Sequence, residues 1–259
     1  MDLQTITGAG AIVTGGASGL GAATAAHLAD RGLVVTAFDL AAGLEKARAA
    51  GATREDINYV AVDVTDDAAV ADAVAGAAQG APLRVAVNCA GICPSARIVG
   101  RKGTHDAQLF ATTIQVNLVG TFHVLTHAVA AMAANEPLDD DGQRGVVVNT
   151  ASVAAFEGQV GQVAYAASKG GVHSLTIAAA RDLSSLGIRV NSIAPGVVWT
   201  PMMESINEDF RTELEARVPF PGRFARPEEY ARLVGAIVEN DYINGETIRL
   251  DGALRMPPR

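Results

Sequence analysis

Short runs of β-branched and other apolar residues recur along the chain, separated by alanine-rich stretches with helical character. Seven runs read as strands: Ala11–Thr14, Val34–Asp39, Tyr59–Asp63, Val85–Asn88, Val146–Thr150, Arg189–Ile193 and Thr247–Leu250. Most are continuously apolar rather than alternating, which is the pattern of parallel strands covered on both faces. Helices are predicted at Ala22–Asp30, Ala68–Ala78, Ile114–Ala134 and Ala164–Leu186. This alternation predicts an α/β fold, a doubly wound parallel sheet of about seven strands with right-handed crossovers and helices on both faces. No repeat or interdomain linker interrupts the pattern, so residues 1–259 are expected to form a single domain. The polar insert Asn135–Gly145, with three consecutive aspartates, reads as a surface loop before the fifth strand.

Composition narrows the class. A chain of 259 residues, 49% hydrophobic and 19% charged, can bury a sizeable core. Its net charge of −8 argues against a nucleic-acid or anionic-membrane partner, since both need clustered Lys and Arg. No apolar run approaches the roughly 20 residues that span a bilayer. The N-terminus has neither the basic flank nor the apolar stretch of a signal peptide, so a cytoplasmic location is expected. Cys89 and Cys93 are too few for a disulfide framework and read as reduced, small apolar side chains. His123 and His127 are four apart on a predicted helix, but Val124 stands where a zinc protease motif carries its glutamate. No metal site is expected.

The first strand runs into Thr14-Gly15-Gly16-Ala17-Ser18-Gly19-Leu20-Gly21 and then directly into a helix. Glycines there permit a tight turn and let the backbone approach a pyrophosphate, whose charge the helix N-terminus stabilises. This turn after a first strand is the mark of a Rossmann-type nucleotide site. Asp39 ends the second strand, 18 residues after Gly21, near the spacing at which a carboxylate accepts from the adenosine ribose hydroxyls. A 2′-phosphate would meet that carboxylate, with Leu40 rather than a cation beside it. Like charges about 4 Å apart cost several kcal/mol at an intermediate dielectric, so NAD is expected over NADP. Asp63-Val64 and Asn88-Cys89-Ala90-Gly91 fall at the next two strand ends, along the edge where open α/β sheets collect ligands. Asp63 suits the adenine amino group, and Ala90 and Gly91 leave room for adenosine.

Tyr165 and Lys169 are four apart and share one helix face, and Ser152 lies 13 residues before the tyrosine. Half-ionising tyrosine at neutral pH needs a shift of about three units, or about 4 kcal/mol. An ammonium about 4 Å away is worth a similar amount at an effective dielectric near 20. The expectation is that Lys169 supplies much of this shift and also holds the nicotinamide ribose. Tyr165 would take the hydroxyl proton of an alcohol as hydride leaves the same carbon, and Ser152 would donate to the substrate oxygen.

These residues together resemble the short-chain dehydrogenase/reductase family over essentially the whole chain. Thr14-Gly15-x-x-x-Gly19-x-Gly21 is similar to its cofactor motif, and Ser152, Tyr165 and Lys169 fall on its catalytic positions. The resemblance implies that Asn117 holds a water in a proton relay and that Pro195-Gly196, Val198 and Thr200 contact the nicotinamide end. A closer likeness, to the type 2 3-hydroxyacyl-CoA dehydrogenases (also type 10 17β-hydroxysteroid dehydrogenases), lies in the segment from Gly142 through Gln162. It extends to Val218-Pro-Phe-Pro-Gly-Arg, Pro227-Glu-Glu-Tyr-Ala, the ending from Asn244, and Cys89 in place of asparagine. It implies an NAD-dependent homotetramer that converts a (3S)-3-hydroxyacyl-CoA to a 3-oxoacyl-CoA and also takes steroid alcohols.

Pro94–Phe110 and the lid-like Val197–Arg217 match less well, and both are expected to border the substrate. Gln162 is a further candidate for substrate contact. A 3-oxoacyl-CoA or acyl-carrier-protein reductase is the competing enzyme reading, but it should prefer NADPH, against Asp39. A non-catalytic NAD-binding assembly subunit is the competing non-enzymatic reading. It predicts a lost catalytic residue, and none is lost.

Overall fold

A computed structural model describes residues 1–101, 103–200, 203 and 208–258. In chain order the elements are β1 (Gly10–Thr14), α1 (Gly19–Asp30), β2 (Val34–Asp39), α2 (Ala41–Ala49), β3 (Ile57–Ala61), α3 (Asp67–Gly80) and β4 (Leu83–Asn88). A two-stranded antiparallel hairpin follows, β5 (Val99–Gly100) and β6 (Gly103–Thr104). Then come α4 (Ala107–Ile114), α5 (Gly120–Ala133), β7 (Gly145–Thr150), α6 (Val163–Asp182), β8 (Ile188–Pro195), α7 (Glu208–Ala216), α8 (Pro227–Glu239) and β9 (Thr247–Leu250).

Seven strands form one parallel sheet in the order β3-β2-β1-β4-β7-β8-β9. The winding direction reverses between β1 and β4, and ligand crevices open at that switch point. Register brings Thr14 level with Phe38 on one side and with Asn88 on the other, and Asn88 level with Asn149. The functional segments therefore leave the sheet at a common edge. β1, β4, β7 and β8 are buried along their whole length, as strands covered on both faces are, and β4 and β8 carry Arg84, Arg189, Asn191 and Ser192 into that interior. One core layer packs Ala25 and Leu28 of α1 with Tyr230, Val234 and Ile237 of α8 against the sheet. The other packs Val70 and Val74 of α3 with Val124, Leu125 and Met132 of α5.

Several boundaries differ from the sequence expectation. β3 begins at Ile57 and ends at Ala61, so Asp63 lies in the loop beyond it and not in the strand. The sequence pattern did not single out α2, α4, α7 or α8. The expected helix Ala164–Leu186 ends at Asp182, with a separate 3-10 turn at Ser184–Leu186. The expected helix Ile114–Ala134 begins instead at Ala107 and is interrupted by a π turn over Gln115–Val119. As one helical stretch, Ala107–Ala133 spans 27 residues and holds an 18-residue window with a mean hydropathy of 1.4. By length and composition this is enough to cross a membrane, contrary to the expectation that no segment is. In the fold α5 instead packs against α3 and β4, and α4 against α6. The two histidines on α5 make local contacts: His123 Nδ1 meets Val64 O at 3.0 Å, and His127 Nε2 meets Asp67 at 2.8 Å.

Candidate active site

A cavity of about 1190 Å³ runs along the C-terminal edge of the sheet, large enough for a dinucleotide and a substrate together. Its first wall is the turn after β1. Gly15 has φ +65°, and a Cβ there would lie 2.9 Å from Ala90 N. A Cβ on Gly21 would come within 2.1 Å of Gly15 O, so only glycine lets α1 start this close to the turn. Thr14 Oγ1 accepts from Cys89 N and Ala90 N at 3.0 and 3.1 Å, tying this turn to the end of β4. Ser18, Gly19 and Leu20 face the same space at the N-terminus of α1. This geometry fits a pyrophosphate: side chains are excluded and the positive end of a helix dipole faces the space.

Asp39 lies at the end of β2 with both oxygens fixed by the backbone. Oδ2 accepts from Ala17 N at 2.9 Å and Oδ1 from Leu40 N at 2.8 Å. Each oxygen retains a further lone pair for a hydroxyl. Asp63 Oδ1 accepts from Thr65 N and Oγ1 at 2.9 and 2.8 Å. Val64, Cys89, Ala90 and Gly91 continue the wall, and Pro195, Gly196, Val198 and Thr200 close its far end after β8. Every residue expected from the sequence to touch the cofactor lines this one cavity.

Ser152, Tyr165, Lys169 and Gln162 line it too. Ser152 Oγ accepts from Ala154 N at 3.1 Å, capping the short 3-10 turn Val153–Ala155. With a lone pair used there, its single proton is left to donate into the cavity. Lys169 is buried and donates to Thr150 O at 2.7 Å. Two of its three donors remain for a ligand. Its Nζ lies 5.8 Å from the Tyr165 ring centroid. Gln162 turns its Oε1 back to Gln159 N at 3.1 Å, which leaves its amide N–H groups for a substrate.

The electrostatics depart from the sequence expectation. Burial above all, then the neighbouring Cys93, pushes the Tyr165 phenol up to about 12, opposed by a hydrogen bond with Ser152. Burial pulls the Lys169 ammonium down to about 8. Lys169 therefore does not bring the tyrosine below its ordinary value. Desolvation dominates, and the lysine sheds its proton before the phenol would.

Asn117 stands apart from the other candidate catalytic residues. It is fully buried and does not line the cavity. Its amide accepts from Ile92 N at 2.8 Å and donates to Ile92 O at 2.8 Å and Ser168 Oγ at 3.0 Å. Its carbonyl accepts from Thr121 Oγ1 at 2.8 Å. The side chain fastens the loop after β4 to α6 from within the π turn, a distortion that recurs at functional sites.

Met203, Leu214 and Arg217 of the expected lid and Ser95 and Gln108 of Pro94–Phe110 line the cavity, as the sequence reading placed them near the substrate. Cys93, Thr150 and Met256 line it too and were missed; nothing in their local sequence marks them, and only the fold brings them to the site. Of the expected lid, residues 201, 202 and 204–207 lie outside the described residues.

A family model described as short chain dehydrogenase matches residues 9–211. The 3-hydroxyacyl-CoA dehydrogenase type-2 of Homo sapiens is 47% identical over 260 residues, 98% of each chain. Its Drosophila melanogaster counterpart is 48% identical over 258 residues, 98% of this chain and all of that one. A crystal structure of 3-hydroxyacyl-CoA dehydrogenase type-2 from Mycobacterium avium matches with a TM-score of 0.90 and 48% identity. It covers 97% of this chain and 98% of its own.

Proposed function

The chain belongs to the short chain dehydrogenase family, and we propose that it interconverts a 3-hydroxyacyl-CoA and the matching 3-oxoacyl-CoA with NAD as cofactor. The observation that carries this reading is the convergence of Ser152, Tyr165 and Lys169 on the cavity that the glycine turn opens. The names of the full-length relatives supply the substrate class. Asp39 supports NAD over NADP: its carboxylate is held by two backbone amides and next to it stands Leu40, which offers no charge to a 2′-phosphate.

The nicotinamide dinucleotide supplies the hydride acceptor, or the donor in the reverse direction. The rest falls to the chain. The turn Gly15–Gly21 holds the pyrophosphate, and Asp39 holds the adenosine ribose. Lys169, anchored on Thr150 O, holds the nicotinamide ribose through its remaining donors. Ser152 donates to the oxygen of the substrate and stabilises charge as it builds there. Tyr165 Oη takes the hydroxyl proton in oxidation and returns it in reduction, help worth about 10²–10⁴-fold.

We also propose a homotetramer. β9 is an edge strand, and Phe122 on α5 and Ile177 on α6 are 48% and 42% exposed, apolar surface suited to a partner copy. Light scattering at micromolar concentration reads the assembly, and a monomer mass refutes it. The function is tested by following NADH absorbance with 3-hydroxyacyl-CoAs, 3-oxoacyl-CoAs and hydroxysteroids, with NAD and NADP compared. Turnover on acyl-CoAs with NAD is expected. NAD binding without turnover at any acyl length refutes the substrate assignment.

A further inference from the structure

Among the described residues lining the cavity, the cations are Lys169 and Arg217. Lys169 is committed to Thr150 O beside the reacting groups. Arg217 follows the last turn of α7, with its backbone N–H on Leu214 O at 3.2 Å and the buried Val218 fixing the chain immediately after it. Its side chain is 27% exposed, so it stands at the mouth and not on the floor.

Topology separates this cation from the adenosine end of the expected cofactor. Asp39 and Asp63 follow β2 and β3, on one side of the switch point, whereas Arg217 lies in the connection after β8, on the other. Leu214 and Met256 line the cavity with it, apolar surface suited to an acyl or pantetheine chain. Glu213, one helical turn earlier, pairs with the guanidinium. A guanidinium carries five donors on a planar fork, so it can hold more than one anion at a time.

Resting on the acyl-CoA reading above, we infer that Arg217 is a binding residue for the phosphates of the CoA moiety. A CoA thioester is anionic only at its nucleotide end, far from the hydroxyl-bearing carbon. A chain of net charge −8 offers no general attraction for such a polyanion, so a local cation at the mouth has to supply the contact. Arginine suits it, because its planar fork matches phosphate oxygens.

The test compares 3-hydroxybutyryl-CoA with the same acyl group on N-acetylcysteamine, which lacks the phosphates. Arg217→Gln lowers kcat/KM about tenfold for the CoA thioester, chiefly through KM, as expected for a lost charge-assisted hydrogen bond. The truncated thioester changes by no more than about twofold, and Arg217→Lys falls between wild type and Arg217→Gln on the CoA thioester. Raising ionic strength weakens CoA-thioester binding in wild type and has less effect on Arg217→Gln. Equal losses on both thioesters, or a loss that appears in the KM for NAD, overturn the inference and leave the proposed reaction standing. A wild-type enzyme that turns over neither thioester overturns the reaction and the inference together.

Discussion

Replacing Lys169 by methionine keeps the length and the apolar stem of the side chain and removes its charge. The ammonium lies 5.8 Å from the Tyr165 ring centroid in a buried setting. At an effective dielectric near 20, a unit charge at that distance stabilises a phenolate by about 3 kcal/mol, equivalent to about two pH units. Near neutral pH, below the lysine's value of about 8, the ammonium is present and this help is available to the phenol. The phenol's own value of about 12 is that of a tyrosine facing burial without it.

Removing a cation raises the pKa of a neighbouring acid, and alcohol oxidation needs the phenolate. The ascending limb of the oxidation profile therefore moves to higher pH by about two units in Lys169→Met, and kcat/KM near neutral pH falls about a hundredfold. Reduction, which needs the protonated phenol, does not lose activity in this way. Initial rates of NADH formation across pH, at saturating NAD so that weaker cofactor binding does not intrude, read the shift. Lys169→Arg keeps the charge and is expected to keep the limb near its wild-type position. If the methionine profile superimposes on wild type after scaling by amplitude, the lysine only holds cofactor and the electrostatic argument fails.

Tyr165→Phe is expected to lower kcat about 10²–10⁴-fold while NAD affinity, read by titration of protein fluorescence, stays near wild type. A variant with full activity would remove the acid–base role. Asp39→Ser removes the carboxylate that opposes a 2′-phosphate and should raise the NADP:NAD ratio of kcat/KM at least about tenfold. The full unscreened term of several kcal/mol is reduced because the site is open to solvent. An unchanged ratio would locate cofactor choice elsewhere. Asn117→Ala removes the bonds to Ile92 N, Ile92 O and Ser168 Oγ and should cost about 1–3 kcal/mol of stability, seen as a lower denaturant midpoint. A midpoint unchanged from wild type would mean that these bonds are readily replaced.

The parts of the site that could be read from the sequence are those whose geometry is set within a few residues. The glycine turn is one: Gly15 and Gly21 collide with a Cβ because of contacts the turn makes with itself and with the next strand end. Asp39 and Ser152 are others, because a residue at the end of a buried parallel strand has only one edge to occupy. The parts that could not be read depend on distant partners. Met256 reaches the cavity only because the chain returns there after β9. The π turn is equally silent, since Gln115–Val119 has the composition of any helix interior. What distinguishes it is the lock of Asn117 onto Ile92 and Ser168, residues that lie 25 and 51 positions away.

The tyrosine–lysine pair shows why adjacency alone does not determine chemistry. Four-residue spacing predicts that phenol and ammonium meet, and they do. It says nothing of the medium between them, and burial reverses the net effect: the phenol becomes harder to ionise and the ammonium easier to lose. The same desolvation strengthens every further interaction, because a charge in a low-dielectric cavity is felt over a longer distance than in water. Tyr165 is thus a poor base by burial alone and responds strongly to any positive charge placed beside it. Lys169 accounts for about two of the roughly five units that separate a phenol at 12 from one that works near neutral pH. The value of about 12 already includes the Ser152 hydrogen bond, so the remainder has to come from positive charge on the bound cofactor. On this argument the oxidised cofactor lowers the phenol's pKa and the reduced, neutral form does not, so proton transfer is coupled to the direction of hydride transfer.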